Sequence, residues 1–511
     1  MKKIIKQIFS QKALFILMML MQVLFLAGSV WFLSKHYAFV YAFIIVIDVL
    51  LYLYISNSKE RLAYKSMWLA IIMLVPLFGG LAYLFLRNQV GRRIFSKNQI
   101  QKVQEIREHI PVNRKSLFDL EKDDVELANL SKYLYHYAGF PVYHNTEVTY
   151  LPVGETWFEK MKEELSKAKH YIFLEYFIIT EGVLWDGILE IIKQKALQGV
   201  DVRIFYDGIG TGFVTSKKHF KELEKYGIKT KIFNSFRPFL STVQNNRDHR
   251  KITVIDGVCA FNGGTNLADE YINEKKRFGH WKDTAVMVKG DAAISYAAMF
   301  LQLWETTSIS AKTFEYIVPK DDVRPKIKND AFVQPYSDSP LDTEDIGKFV
   351  YLDLINMAKR KICITTPYLI PDDELLTALE LAAKKGVDVS IITPHHPDKW
   401  YVYQIAWNYY EKLIDYGVKI YEYLPGFIHA KSFLIDDEKA VVGTINLDYR
   451  SLFLHFECGT FFYNCKAVEQ LKNDCDETLK KCVMIKKEDC QKRSFIKKLI
   501  GNILSIFAPL L

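Results

Sequence analysis

No two of the seven cysteines in this 511-residue chain stand at the C-x-x-C spacing of a zinc or redox site. They are Cys259, Cys363, Cys458, Cys465, Cys475, Cys482 and Cys490, an odd number that does not suit a disulfide framework. Free thiols in a reducing compartment are expected instead. A strong charge of one sign is missing too: 67 Lys and Arg against 59 Asp and Glu leave a net +8. That excess suits an anionic partner, lipid surface or nucleic acid, without demanding one. A metal-ligand cluster is also lacking. His395-His396-Pro397-Asp398 resembles one in isolation, but adjacent histidines do not easily face one ion and no third ligand accompanies them. Neither metal nor cofactor is expected.

What the chain has in abundance is apolar residues, half of the total, although a quarter are charged. The excess is concentrated in the first ninety positions. Ala13 to Leu33, Tyr37 to Ile55 and Met67 to Leu86 are apolar runs. Each is long enough to cross a hydrocarbon core of about 30 Å. Lysines 2, 3, 6 and 12 precede the first run and place the N-terminus inside. A cleavable signal is ruled against by that run's length and by the further runs behind it. Basic residues flank both ends of the third run. With Pro76, Gly79 and Gly80 in its middle, a broken or re-entrant helix would reconcile them. A plain third span, with the catalytic part outside, is the alternative. The free cysteines favour the cytoplasmic face. Asp48, inside the second run, is either a functional acid or a packed structural one. At the other end, Lys492, Arg493, Lys497 and Lys498 interleave with Phe495, Ile496, Leu499 and Ile500. The pattern predicts an amphipathic helix, lying in an anionic lipid interface or packed on the protein's own surface.

From about residue 136 the chain alternates strand-like and helix-like segments. Tyr171–Ile179 reads as strand, Asp186–Gln198 as helix stopped by Gly199, and Val200–Tyr206 as strand. The order recurs at Ile362–Ile370, Glu374–Lys385, Gly386 and Val387–Thr393. This predicts an α/β fold of two pseudo-symmetric halves, each a mixed, mostly parallel sheet flanked by helices. The expected organisation is 1–90 membrane-anchoring helices, 91–135 a charged linker, 136–325 the first half, 326–480 the second, and 481–511 the basic amphipathic segment.

Inside the repeat lies a sharper one. His249-Arg-Lys251, Asp256, Gly263 and Asn266 recur as His429-Ala-Lys431, Asp436, Gly443 and Asn446, each displaced by 180 residues. One H-x-K-x4-D would arise by chance in roughly one such chain in twenty. Two copies with the same Gly and Asn behind them are not accidental. On a strand, His and Lys of H-x-K share a face because side chains alternate with period two. Asn offers an amide to an oxyanion. Two facing halves would surround one phosphate with two imidazoles, two ammoniums and two amides.

These residues are similar to the signature of the phospholipase D superfamily. The whole chain resembles bacterial cardiolipin synthases, on Glu175-Tyr176, Trp281-Lys-Asp283-Thr284, Thr366-Pro367-Tyr368 and Asn446-Leu-Asp448-Tyr-Arg450-Ser451. It departs at His455, where the family more often shows Asn before Phe-Glu. The resemblance implies transfer of a phosphatidyl group from one phosphatidylglycerol to another through a phosphohistidine, without a metal. His249 is expected as nucleophile and His429 as acid and base, although the near symmetry allows the reverse. A carboxylate should orient each imidazole. Glu457, 28 residues after His429, is the second-half candidate, and Asp283 and Glu270 compete in the first. Asp256 and Asp436 belong to the motif but are expected to brace loops. Asn266 and Asn446 are expected to bind phosphate. Hydrolysis by water, another lipid donor or acceptor, and nucleic-acid cleavage are the rival activities. The apolar segments argue against nucleic acid, and the membrane with phosphatidylglycerol is the expected partner.

Overall fold

The computed structural model describes residues 38–510 apart from 76–77, 88–89, 236–241, 306–308, 326 and 328–330, with a few positions between 24 and 32. It divides into two compact units, residues 1–89 and 90–511.

In the first unit the run from Tyr37 forms helix α1 (Ala38–Ser56). The third apolar run is broken, as α2 (Leu62–Leu74) and α3 (Phe78–Arg87). A Cβ on Gly79 would stand 2.9 Å from the Ile72 backbone, so glycine is what lets α3 close onto α2. Ile55, Ile72 and Tyr83 form a small core, and the Trp68 and Tyr83 rings meet edge to face at 5.4 Å. Asp48 on α1 faces Gly80 of α3. Among the described residues no helix is long and apolar enough to cross a membrane, so the multi-pass reading is not supported. The first apolar run falls mostly outside the described residues.

The second unit opens with helices where a charged linker is expected: α4 (Val90–Glu108), α5 (Arg114–Asp123) and α6 (Val125–Tyr133). The stretch is structural because part of its apolar side chains, Ile106, Ile110, Leu120, Leu127 and Leu130, are buried, while Phe118 and Val125 stay exposed. Asp124 caps α6 through the Leu127 amide and pairs with Lys439 at 3.2 Å.

The first half runs β1 (Thr146–Leu151), α7 (Gly154–Ser166), β2 (Tyr171–Tyr176), α8 (Val183–Leu197), β3 (Asp201–Asp207) and β4 (Lys229–Phe233). Then follow β5 (Arg247–Asp248), β6 (Ile252–Ile255), β7 (Cys259–Gly263), β8 (His280–Lys282), β9 (Ala285–Gly290) and α9 (Ala293–Trp304). The second half runs β10 (Phe332–Asp338), α10 (Ile346–Met357), β11 (Lys361–Thr365), α11 (Asp373–Lys384), β12 (Asp388–Pro394), α12 (Trp400–Asp415) and β13 (Lys419–Tyr423). It continues through β14 (Gly426–Ile428), β15 (Ser432–Ile435), β16 (Lys439–Gly443), α13 (Tyr449–Phe453), β17 (His455–Tyr463), α14 (Lys466–Leu479), β18 (Cys482–Ile485) and α15 (Phe495–Ile506).

The strand orders are β1-β9-β7-β6-β2-β3-β4 and β10-β17-β16-β15-β11-β12-β13-β18. Apart from the added β18 the two orders correspond strand for strand, the topological form of the 180-residue repeat. Both sheets are mixed, as expected, but parallel pairing is the minority. Along the two strand orders it is confined to β2-β3-β4 and β11-β12-β13, where a helix returns the chain; the short β5 and β14 also pair in parallel, with β17 and β8. The motif strands instead return through tight turns, as antiparallel β6/β7 and β15/β16. Trp157, Phe158, Trp185 and Ile188 of α7 and α8 pack the outer face of the first sheet. All of α9 is buried.

Asp256 and Asp436 occupy the turns that close these hairpins, at φ of 52° and 55°. Asp256 accepts the backbone N–H groups of Lys169, His170 and Tyr171 at 2.7 to 2.8 Å. Asp436 accepts those of Lys359, Arg360 and Lys361 at 2.7 to 2.9 Å. Each aspartate therefore staples a motif hairpin to the neighbouring parallel strand. They stand at the far end of β6 and β15 from the histidines, seven residues on and so about 23 Å along the extended chain at 3.3 Å per residue. Each braces its hairpin from that end.

Candidate active site

The H-x-K segments do not lie within strands, as the alternation pattern suggests, but in the extended lead-in to β6 and β15. The reason is that each lead-in pairs with the opposite half. β5 runs parallel to β17, with His455 beside Arg247, and the His249 N–H donates to Phe456 O at 3.0 Å. β14 runs parallel to β8, and the His429 N–H donates to Lys282 O at 2.7 Å. Alternation still holds locally. Between His249 and Lys251, Arg250 turns the other way and forms a buried ion pair with Glu175 at 2.5 Å.

The carboxylates cross between halves in the same way. His249 Nδ1 donates to both oxygens of Glu457, at 2.9 and 3.0 Å. His429 Nδ1 donates to Asp283 at 2.6 Å. All four side chains are buried. Asp283 thus outcompetes Glu270, which pairs with Arg277 at 3.5 Å instead. Gly264 makes the second pair possible, because a Cβ there would stand 2.1 Å from Asp283 Oδ1. With each Nδ1 proton committed to a carboxylate, each Nε2 carries the lone pair.

Lys251 and Lys431 are buried, and each ammonium donates to the carbonyl of its own histidine. Burial pulls Lys251 down to about 8 and Lys431 down to about 7. Both imidazoles are held well below the ordinary histidine value, first by burial and then by these two ammoniums. Asp283 is pushed up to about 7 by burial. The amide of Asn266 donates to the Tyr271 hydroxyl at 2.7 Å, and that of Asn446 to Ser451 Oγ at 3.0 Å. Aromatic rings wall the site. Phe177 stands 5.2 Å from the His249 ring, and Trp281, Tyr271 and Phe427 lie 5.5, 5.6 and 5.8 Å from that of His429. Phe427 also lines a cleft with Tyr368, Lys399, Val402 and Ala406.

Two contributors have no counterpart in the repeat. Thr444 donates its hydroxyl to Glu457, and His455 lies beside the same carboxylate. Ligand atoms of His249, His455 and Glu457 fall within 4.8 Å of one another. That spacing would suit a metal, but the surroundings do not fit one. His249 Nδ1 is already bonded to the carboxylate, and Lys251 and Arg450 add positive charge alongside. His395 bonds Glu422 at 2.7 Å, away from any ligand cluster. All seven cysteines are free thiols.

A family model described as "Cardiolipin synthase, PLD-like domain" matches residues 161–304 and 351–479, and a second, "Phospholipase_D-nuclease N-terminal", matches 40–88. The chain belongs to the cardiolipin synthase family of phospholipase D-like proteins. It is accordingly a phosphatidyltransferase, as the motif pair leads one to expect. A Streptococcus mutans protein is 47% identical over 90% of this chain and 99% of its own length. Cardiolipin synthases of Halalkalibacterium halodurans and Geobacillus sp. are 32% and 36% identical, covering 94% and 89% of this chain and 95% and 91% of theirs. Among solved structures, phosphatidylserine synthase of Haemophilus influenzae Rd KW20 aligns with a TM-score of 0.55 at 16% identity. It covers 75% of this chain and 98% of that one, and so shares the fold.

Proposed function

We propose that this protein makes cardiolipin by moving a phosphatidyl group from one phosphatidylglycerol to another through a phosphohistidine. The observation that carries this reading is the pair of crossed imidazole–carboxylate couples, His249–Glu457 and His429–Asp283. Each leaves an Nε2 lone pair, and a buried ammonium bonds the backbone carbonyl of each histidine. His429 takes up a proton at Nε2 as the anionic phosphodiester binds. In the first step Nε2 of His249 then forms a bond to phosphorus as the bond to the glycerol oxygen breaks, and His429 Nε2 gives that proton to the oxygen. In the second, His429 takes the proton of an acceptor hydroxyl. Its oxygen bonds phosphorus, and the P–N bond breaks. Lys251, Lys431, Asn266 and Asn446 hold the charge that develops on the phosphoryl oxygens. Division into two displacements is the gain of covalent catalysis. The relatives named cardiolipin synthase support cardiolipin as the product. The free thiols support a cytoplasmic face.

The C-terminal helix α15 supports a bilayer as the working surface. Gly501 brings it against α12, where a Cβ would meet Asn408 at 2.8 Å, and Arg493 bonds Gln404 at 2.8 Å. One face docks on the protein, while Phe495, Ile496, Leu499, Ile503 and Ile506 are exposed beside Lys497. Helix α12, its dock, also supplies Val402 and Ala406 to the cleft next to His429.

Purified protein supplied with phosphatidylglycerol alone should yield cardiolipin and free glycerol. Phosphatidic acid without cardiolipin would establish a hydrolase instead. Absence of any turnover would exclude phosphatidylglycerol as donor. A chelator should leave the rate unchanged.

A further inference from the structure

We infer that His455 is a positioning residue for the His249 couple, acting through Glu457, and that it breaks the functional equivalence of the two halves. The inference deepens the proposed reaction and rests on that reading of the site. His455 opens β17, two residues before Glu457, so both side chains leave the same face of the strand. Its Nδ1 lies 3.5 Å from Glu457 Oε1, and its ring centre 5.3 Å from that of His249. On its other side Arg450 Nε donates to Nε2 at 3.3 Å. A guanidinium can only donate, so Nε2 is the acceptor and the ring proton resides on Nδ1, pointing at the carboxylate. Burial keeps this imidazole neutral, down to about 3.

Glu457 therefore accepts two hydrogen bonds, from His249 Nδ1 and the Thr444 hydroxyl, and has a third N–H beside it, that of His455 Nδ1 at 3.5 Å. Asp283 collects two, His429 Nδ1 at 2.6 Å and its neighbour's amide, Thr284 N–H, at 2.8 Å. A carboxylate with two hydrogen bonds and a further N–H beside it is held in orientation and is the weaker acceptor for any one donor. That keeps the His249 ring in one tautomer and limits how far the carboxylate raises its proton affinity. The 3.5 Å contact is long in the free enzyme, and such catalytic contacts tighten when charge develops on the reacting group. Phosphorylation of His249 Nε2 makes that ring cationic, which is when a firmly placed anion matters most. The other couple, without a third imidazole, is left free to pass its proton.

The groups facing His455 are Arg450 from α13, Glu457 on its own strand, His249, and Arg247 alongside in register on β5. Those facing His249 are Lys251, Lys431, His429 and Lys399. None of the latter is removed by a change at 455, so the pH response isolates the shared carboxylate.

The test compares His455→Asn, His455→Phe and Arg450→Gln with the unchanged enzyme, on a chromogenic phosphodiester and on phosphatidylglycerol in mixed micelles. Asparagine restores an N–H near the position of Nδ1, whereas phenylalanine fills the space without one. His455→Phe should lower kcat about 10- to 100-fold with little change in KM. It should also move the acid limb of kcat/KM to higher pH, because Glu457 then divides its charge between His249 and Thr444 only and the nucleophile must be neutral. His455→Asn should recover most of kcat and the original limb. Arg450→Gln, which leaves the His455 tautomer free, should move both readouts in the same direction by less, and serves if the phenylalanine variant does not fold. Full activity and an unmoved limb in His455→Phe, or equal loss in Asn and Phe that tracks melting temperature, would overturn the inference. The chromogenic substrate separates this from the reaction itself. Turnover of that diester without cardiolipin formation refutes the synthase reading and leaves the role of His455 measurable.

Discussion

At the residue scale the chemistry is governed by desolvation. Lys251 and Lys431 are buried cations whose ordinary charge is opposed by their surroundings until an anion arrives. Burial leaves them at about 8 and about 7 in the free protein. A group whose folded value is depressed loses its proton as pH rises through that lower value, so the empty site loses phosphate affinity between about pH 7 and 8. The expected profile is a kcat/KM that declines on the alkaline side across this interval. The corresponding kcat limb should lie higher, because bound phosphodiester stabilises both ammoniums. A kcat/KM flat to pH 9 would contradict the placement of the two lysines. His249→Ala and His429→Ala should each lower transfer by about 10³-fold or more, since nucleophile and proton carrier act in both steps. Assay of glycerol release checks both variants directly.

At the scale of elements, the hairpin is the unit that carries the chemistry, and its two ends have different duties. The histidine end reaches across to the other half, while the aspartate end is tied down within its own. Asp256→Ala removes the acceptor of three backbone N–H groups and should cost about 1–3 kcal/mol in unfolding free energy. Asp436→Ala should cost a similar amount. Urea unfolding measures this, and folded variants should retain most of their kcat. Gly264→Ala probes the other end. Its methyl group would have to displace the Asp283 carboxylate, so kcat should fall on the order of 10- to 100-fold while the hairpin remains paired.

At the scale of the whole molecule, two like sheets share one site by exchanging strand lead-ins and carboxylates, and a clamped helix offers apolar side chains outward. Replacing Phe495 and Ile496 with serine should weaken sedimentation with anionic vesicles by about tenfold or more, given the transfer free energy of such side chains. Activity on detergent-dispersed lipid should be unaffected. Much of this architecture is legible in the sequence because the repeat is written in residue types: the H-x-K, Asp, Gly and Asn positions, the helix stops at Gly199 and Gly386, and the β-branched strands. Period and composition are local properties, so the α/β halves, the break in the third apolar run and the motif pair follow from them. The minority of parallel strands, the helices in the charged stretch, the swap of Glu457 to His249 and Asp283 to His429, and the third imidazole on Glu457 do not. They depend on which strand edges meet across more than 140 residues of chain, on which few apolar side chains find cover, and on which buried polar groups find partners. Only the packed tertiary structure decides those.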